Sequence, residues 1–285
     1  MPELPEVETI ARKLRQGTPD LPPVPGHRIQ SVEITWDRII AAPDPEGFKQ
    51  SLIGKEIIDV HRRAKYLHFP LTEGHLIGHL RMSGDMRMER RFDSANNPLP
   101  TQAYDRVIIN FNTNWRMVFV NIRKFGRMWY TGDLNSVFGD LGPEPLAEDF
   151  SVERLYEMSV AHNRQIKPLL MDQSFIAGLG NIYTDESLFK AGIHPLRRSD
   201  SLSKTEIRLL HSAIRETLTE GVRNFGASLD WVYRGGEFQN YFKVYKREGE
   251  PCPVCGTEII KTIVGQRGTH FCPRCQKPPS SVHDE

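Results

Sequence analysis

Arg106-Val-Ile-Ile-Asn-Phe-Asn-Thr-Asn-Trp-Arg-Met-Val-Phe-Val120 decides the fold class. Two short runs rich in β-branched and aromatic residues flank a cluster of turn residues, the pattern of paired strands. The same pattern extends outward. Further runs lie at Ile29–Ile34, Glu56–Val60, Tyr66–Phe69, His75–Leu80, Asp85–Glu89 and Arg127–Tyr130, separated by turn residues. Closely spaced strands of this kind predict an antiparallel β-sandwich over about 28–131, interrupted by one short helix near Pro45–Leu52. Before it, Val7, Ile10, Ala11 and Leu14 fall at helical spacing, so Pro5–Leu14 reads as an amphipathic helix. After a Gly/Pro-rich stretch at 139–145 the periodicity turns helical: Val152–Val160, Arg164–Met171, Asn181–Ala191 and a long run over Lys204–Arg223. The fold class is α+β, and the composition shifts divide it into 1–143, 144–242 and 243–285.

The chain has 285 residues, 39% hydrophobic and 26% charged, with a formal net charge of +1. No stretch reaches the roughly 20 apolar residues that span a bilayer. The amino terminus lacks the basic and apolar segments of a secretory signal. A cytoplasmic location is the resulting expectation. Net charge does not argue for a nucleic-acid partner, but distribution does. Arg62, Arg63 and Lys65 neighbour Tyr66, and Arg123, Lys124 and Arg127 neighbour Phe125. Over 243–277, seven Lys and Arg face three Glu. Basic residues mixed with aromatics suit phosphate contact and base stacking.

All four cysteines lie near the carboxyl end: Cys252-Pro-Val-Cys255, sixteen residues, then Cys272-Pro-Arg-Cys275. Two Cys-x-x-Cys turns supply four thiolates for a tetrahedral structural Zn²⁺ with no open position. Two disulfides are the alternative. The segment between them reads as a hairpin with its tip at Gly265–Gly268, carrying Arg267. The last ten residues are polar and Pro/Ser-rich and read as disordered.

The chain opens Met1-Pro2-Glu3-Leu4-Pro5-Glu6. Removal of Met1 would expose a secondary amine with a reference pKa near ~7.7–8.0, partly uncharged and nucleophilic at neutral pH. Glu3 and Glu6 lie within one helical turn of it and could move protons. Pro-Glu pairs also open helices for structural reasons alone. Ala177-Gly-Leu-Gly-Asn-Ile-Tyr183 joins two helical segments; its glycines and the helix start at Asn181 offer backbone amides to a phosphate, though a plain helix–turn–helix connection fits equally.

Taken together these motifs resemble the formamidopyrimidine-DNA glycosylase / endonuclease VIII family, in the family's order and over most of the chain. They are Pro2–Thr9, Arg62–Tyr66, His79–Gly84, Arg123–Gly126, Asp172–Pro195 and Gln266–Thr269 with the last two cysteines. The resemblance implies an N-terminal helix on a β-sandwich, then a helix–two-turn–helix domain with a C-terminal zinc-finger hairpin, with DNA across the cleft between them. It implies a bifunctional glycosylase and abasic-site lyase that flips oxidised purines, such as 8-oxoguanine and formamidopyrimidines, out of duplex DNA. The Pro2 nitrogen would attack the sugar C1′ as a Schiff base, Glu3 would protonate the opening ring, and β,δ-elimination would cut the strand. Glu6 would support Glu3 or water, and Lys65 would hold a phosphate beside the lesion. Met82, Arg123 and Phe125 match the residues that fill the vacated space. Tyr104, Lys167, Asn181 and Arg267 match phosphate-binding positions, and Glu186 is read as supporting its turn. One structural Zn²⁺, no Mg²⁺, no organic cofactor and a monomer complete the expectation.

The chain departs from the family pattern in four places. Asn121-Ile122 stands where Asp-Pro is usual, which loosens the following loop. Arg81 replaces a usual Gly. Tyr104-Asp105-Arg106 stands for His-Asp-His. The stretch Tyr233–Tyr241 is short for a lesion-covering loop, so lesion preference is the least fixed property. The same chemistry on oxidised pyrimidines is the alternative, and a non-catalytic zinc-finger DNA-binding protein a more distant one.

Overall fold

The computed structural model describes residues 1–229, 233 and 235–278. Of the last ten residues, expected to be disordered, 279–285 lie outside the described residues, as does Arg234 of the short loop, but Gln276 is buried, its side chain accepting the Cys272 amide and donating to the Ile193 carbonyl. The chain divides into two compact units, 1–140 with 228–236, and 141–227 with 237–285.

The first unit begins with helix α1 (Leu4–Gln16), whose Leu4, Val7, Ile10, Ala11 and Leu14 are buried. The helix stops at Gly17, whose φ of +73° and close approach to the Leu21 carbonyl leave no room for a side chain. Among the described residues nine strands follow: β1 (Ile29–Ile34), β2 (Ile40–Ala42), β3 (His61–Arg63), β4 (Tyr66–Pro70), β5 (His75–His79), β6 (Gly84–Arg90), β7 (Asp105–Phe111), β8 (Trp115–Asn121) and β9 (Arg127–Thr131). Helix α2 (Pro45–Leu52) interrupts them, capped by the Asp44 carboxylate accepting from the Glu46 and Gly47 amides. A single turn, α3 (Asn135–Phe138), closes the unit.

The strands form two sheets, ordered β1-β7-β8-β6 and β2-β9-β5-β4-β3. Inward side chains of both meet in one core: Val32, Met86, Val107, Ile109, Met117 and Phe119 from the first, Leu67, Phe69, Leu76 and Met128 from the second. The β7–β8 pair is the hairpin anticipated at 106–120, with Ile108 opposite Val118. The sandwich differs from expectation in two details. β2 pairs parallel to β9. Residues 56–60 make only isolated bridges at Glu56 and Ile57, because the Asp59 carboxylate takes the Val60 amide instead of a neighbouring strand.

The second unit holds helices α4 (Val152–Val160), α5 (Ile166–Leu170), α6 (Asn181–Ala191) and α7 (Lys204–Arg223), and a hairpin of β10 (Ile260–Val264) and β11 (Arg267–Phe271). α7 carries a capping box in which the Ser203 hydroxyl takes the Glu206 amide and the Glu206 carboxylate takes the Ser203 amide at 2.8 Å. α5 is shorter than the anticipated 164–171, since Arg164 and Gln165 pair with residues 198–199 rather than starting the helix. Among the described residues no helix is long and apolar enough to cross a membrane.

The centre of this unit is ionic. Lys167 of α5 and Asp185 of α6 are both fully buried, with Nζ 2.6 Å from Oδ1. Removing one partner of such a pair leaves a buried charge unmatched, at a cost of about 3–5 kcal/mol. Asp185→Asn is therefore expected to lower the stability of this unit by about that amount, read as a drop in its urea midpoint.

Candidate active site and nucleic-acid interface

In the first unit the amino terminus is held by α1 itself. The Glu3 amide donates to the Glu6 carboxylate at 2.7 Å, and the Glu3 side chain covers the Glu6 amide, a capping box built from two acids. Pro2, Glu3 and Glu6 are all buried. Glu8, one turn on, ties the helix to β3 through Arg62 (2.9 Å), and the Arg62 guanidinium also donates to the Ala64 carbonyl. Ala64, at φ +53°, and Lys65 make the two-residue turn between β3 and β4, which leaves Lys65 nearly buried.

The wedge residues sit on two neighbouring turns. Met82 follows β5, and Arg123 and Phe125 follow β8; the Arg123 guanidinium lies 3.9 Å from the Met82 sulfur. Phe125 is more than half exposed, far from the packed role its type favours. Lys124 stands over the Trp36 ring at 3.9 Å, a cation–π contact that sequence reading missed. Tyr104 is half exposed beside Arg106.

Two departures from the family pattern have physical compensation. Arg81 adopts φ +55°, the left-handed region that glycine takes freely and other residues only at a cost of about 1 kcal/mol. Its amide is held by Nδ1 of His79 at 2.9 Å. An acceptor nitrogen requires a neutral ring, and burial, with Arg81 and Lys65 nearby, pushes His79 down to about 3. Loss of the proline, where Ile122 stands, is expected to loosen the loop, but Asn121 holds it. Its side-chain oxygen accepts from the Phe125 and Gly126 amides, its side-chain nitrogen donates to the Leu80 carbonyl, and Ser83 takes the Arg123 amide. Loss of the proline is answered by hydrogen bonds.

In the second unit Gln173 shapes the glycine turn: its amide oxygen takes the Gly178 amide, and its nitrogen donates to the Leu179 carbonyl. Asn181 and Lys167 were both anticipated as phosphate contacts, but here they hold the hairpin. Asn181 donates to the Gly268 carbonyl at 2.9 Å, and Lys167 reaches the Thr269 hydroxyl at 2.8 Å and the Gly268 carbonyl at 3.2 Å. For Lys167 the phosphate reading is corrected: its ammonium is fully enclosed by the Asp185 pair and Thr269, leaving no face for a phosphate. Arg267, at the hairpin tip, is exposed. Glu186, read as supporting its turn, instead accepts the Lys243, Val244 and Tyr245 amides.

The four cysteines form two matching knuckles. In each, an amide donates to the first sulfur at 3.4 Å: Val254 to Cys252, and Cys275 to Cys272. No disulfide joins them. Their sulfurs lie within 4.8 Å of one another, and the pairs 252–275 and 255–272 are 3.8 and 3.5 Å apart. A tetrahedron with Zn–S bonds of ~2.3 Å has edges of about 3.8 Å, so the cage fits one structural Zn²⁺.

Comparison with known proteins agrees. Residues 1–128 match the family model described as the formamidopyrimidine-DNA glycosylase N-terminal domain, and 141–231 the model of its H2TH domain. Residues 249–278 match the zinc finger found in FPG and IleRS. The formamidopyrimidine-DNA glycosylase of Geobacillus kaustophilus is 43% identical, covering 97% of this chain and all of that protein; that of Protochlamydia amoebophila is 40% identical at the same coverage. Lactococcus lactis Fpg, solved with DNA containing an abasic site, superposes with a TM-score of 0.87 at 37% identity over 97% of this chain. MutM in complex with DNA containing carbocyclic 8-oxo-G gives the same values. The chain belongs to the formamidopyrimidine-DNA glycosylase family.

The His79 environment sets a pH dependence. With its folded pKa depressed below the ordinary 6.5, the stability it contributes is complete above that value and is lost as pH falls from 6.5 towards 3. From pH 7 to 5 this amounts to about 2 kcal/mol. His79→Asn, which keeps a neutral acceptor, is expected to flatten that part of the stability profile of the first unit, measured by urea unfolding at each pH.

Proposed function

We propose that this chain is a DNA glycosylase and abasic-site lyase that removes oxidised purines from duplex DNA, acting as a monomer in the bacterial cytosol. Its relatives are named for formamidopyrimidine lesions, and its structural neighbours were solved on DNA bearing 8-oxo-G, Fapy-dG or an abasic site. These substrates favour purines over the pyrimidine alternative.

The observation that carries the mechanism is the acid pair locked around the start of α1. Once Met1 is removed, the Pro2 nitrogen attacks C1′ of the flipped nucleotide, and the base leaves with its bonding electrons. Glu3 delivers a proton to the ring oxygen as the sugar opens, and the nitrogen becomes an iminium. The iminium draws electrons from C2′, so the C2′ proton passes to water and the 3′ phosphate departs with the C3′–O electrons; loss of the C4′ proton to water likewise releases the 5′ phosphate, and water then hydrolyses the iminium to free the Pro2 amine. Glu6 acts on Glu3 through the capping box. Lys65 holds a phosphate at the lesion, and Met82, Arg123 and Phe125 fill the gap in the stack. Tyr104, Asn181 and Arg267 serve the backbone phosphates. The metal supplies no chemistry; it holds the hairpin that carries Arg267.

Borohydride added during reaction with an 8-oxoguanine duplex is expected to trap one protein–DNA adduct per chain, and peptide mapping should place it on Pro2. Glu3→Gln should slow base release by about 100-fold or more. An adduct mapped to any other residue contradicts the assignment.

A further inference from the structure

We propose that Asn121 is the positioning residue that makes Met82, Tyr104, Arg123 and Phe125 act as one rigid wedge, an inference that rests on the reading of these residues as the DNA-contacting set. Asn121 ends β8 and is completely buried. Every polar group it owns is committed, and the partners lie on three different segments. Its main-chain N–H donates to the Tyr104 carbonyl at 3.0 Å, and its carbonyl accepts from Nε of Arg106 at 2.9 Å. Its side-chain nitrogen donates to the Leu80 carbonyl at 3.0 Å, two residues before Met82. Its side-chain oxygen accepts the Phe125 amide at 2.9 Å and the Gly126 amide at 3.2 Å.

The surroundings are cut to fit this amide. A Cβ on Gly84 would lie 2.8 Å from the Asn121 side-chain nitrogen and 2.4 Å from the Leu80 carbonyl. A Cβ on Gly126 would lie 2.7 Å from the same nitrogen and 2.7 Å from the Phe119 ring. Neither glycine has positive φ, so close approach rather than backbone freedom explains both. The glycines ending the Met-Ser-Gly and Arg-Lys-Phe-Gly motifs thus make room for one side chain between two turns.

The amide serves both turns without a charge or a titratable proton. It accepts from the 125–126 amides with its oxygen and donates to the Leu80 carbonyl with its nitrogen. An aspartate keeps the first half and loses the second, placing a buried carboxylate against a carbonyl oxygen. Where the family usually has Asp-Pro, this chain lacks the constraint of the proline ring, and the Asn121 amide ties the two turns instead. Ser83 adds a second bridge, its hydroxyl taking the Arg123 amide at 3.1 Å and its carbonyl the Ile122 amide.

The test separates wedge from chemistry. Asn121→Asp is assayed under single turnover for 8-oxoguanine release from duplex DNA, and for cleavage at an abasic site in a single strand, which needs no wedge. Duplex base release is expected to fall by about tenfold or more, while single-strand cleavage and borohydride adduct yield stay within about twofold. 2-Aminopurine opposite the lesion should lose its fluorescence rise on binding. The double variant with Phe125→Ala should lose less than the product of the two single losses, because Asn121 acts in part through Phe125. Equal loss on both substrates, or no loss on either, overturns the proposal. Failure of the parent enzyme to cleave either substrate would instead overturn the functional reading. Should Asn121→Asp not fold, Ser83→Ala must show the same split to a smaller degree, and its absence there counts against the proposal.

Discussion

The amide of Glu3 bonded to the carboxylate of Glu6 is the constraint on which the site depends. A chain terminus ordinarily frays, since its first amides lack partners and its backbone keeps its entropy. Here the first turn of α1 satisfies itself with two acids, and Glu8 pins the next turn to β3 through Arg62. Acidic side chains at this end also suit the helix dipole. The same two carboxyls that order the helix start stand within one turn of the residue that would carry the reactive amine. Structure and chemistry draw on one pair of side chains, so neither acid can be changed for one purpose without touching the other.

The remaining parts answer the demands of bringing such a terminus to a stacked base. A wedge must be exposed yet stiff. Phe125 is exposed on a loop whose 125 and 126 amides are held by Asn121 and whose 122 and 123 amides are held by Ser83, while Arg81, in a left-handed conformation, is held by a neutral histidine. The second unit solves a related problem at the hairpin. Four thiolates suited to zinc fix its base, and Lys167, Asn181 and Asp185 hold β11 at Gly268, Thr269 and His270. Arg267 is thereby carried on a segment held at both ends.

Much of this was legible in the sequence, for identifiable reasons. Helix limits at Asn181–Ala191 and Lys204–Arg223 agree with the structure, because Gly192 and Ser203 are strong local stop and start signals. The knuckle spacing specified the thiolate cage. The order of motifs specified the family. What escaped depended on contacts remote in sequence. Lys167 read as a phosphate ligand because nothing local shows that Asp185 lies 2.6 Å away. The hold that Asn121 exerts on the loop escaped because its partners at Leu80 and Tyr104 are brought to it by strand pairing, not by proximity along the chain. The one available signal was paired: Gly84 and Gly126 end two motifs, and both crowd the same amide. The β2–β9 pairing escaped because three residues are too few for any periodicity to register.

The most direct measurement compares mature protein with a version that keeps a blocked amino terminus, made by inserting one bulky residue between Met1 and Pro2. Intact mass reports the terminus, and gel shift reports duplex binding. The account requires the mature chain to begin at Pro2, and the blocked chain to bind lesion-bearing duplex while losing both base release and strand cleavage. Full cleavage by the blocked chain would contradict it.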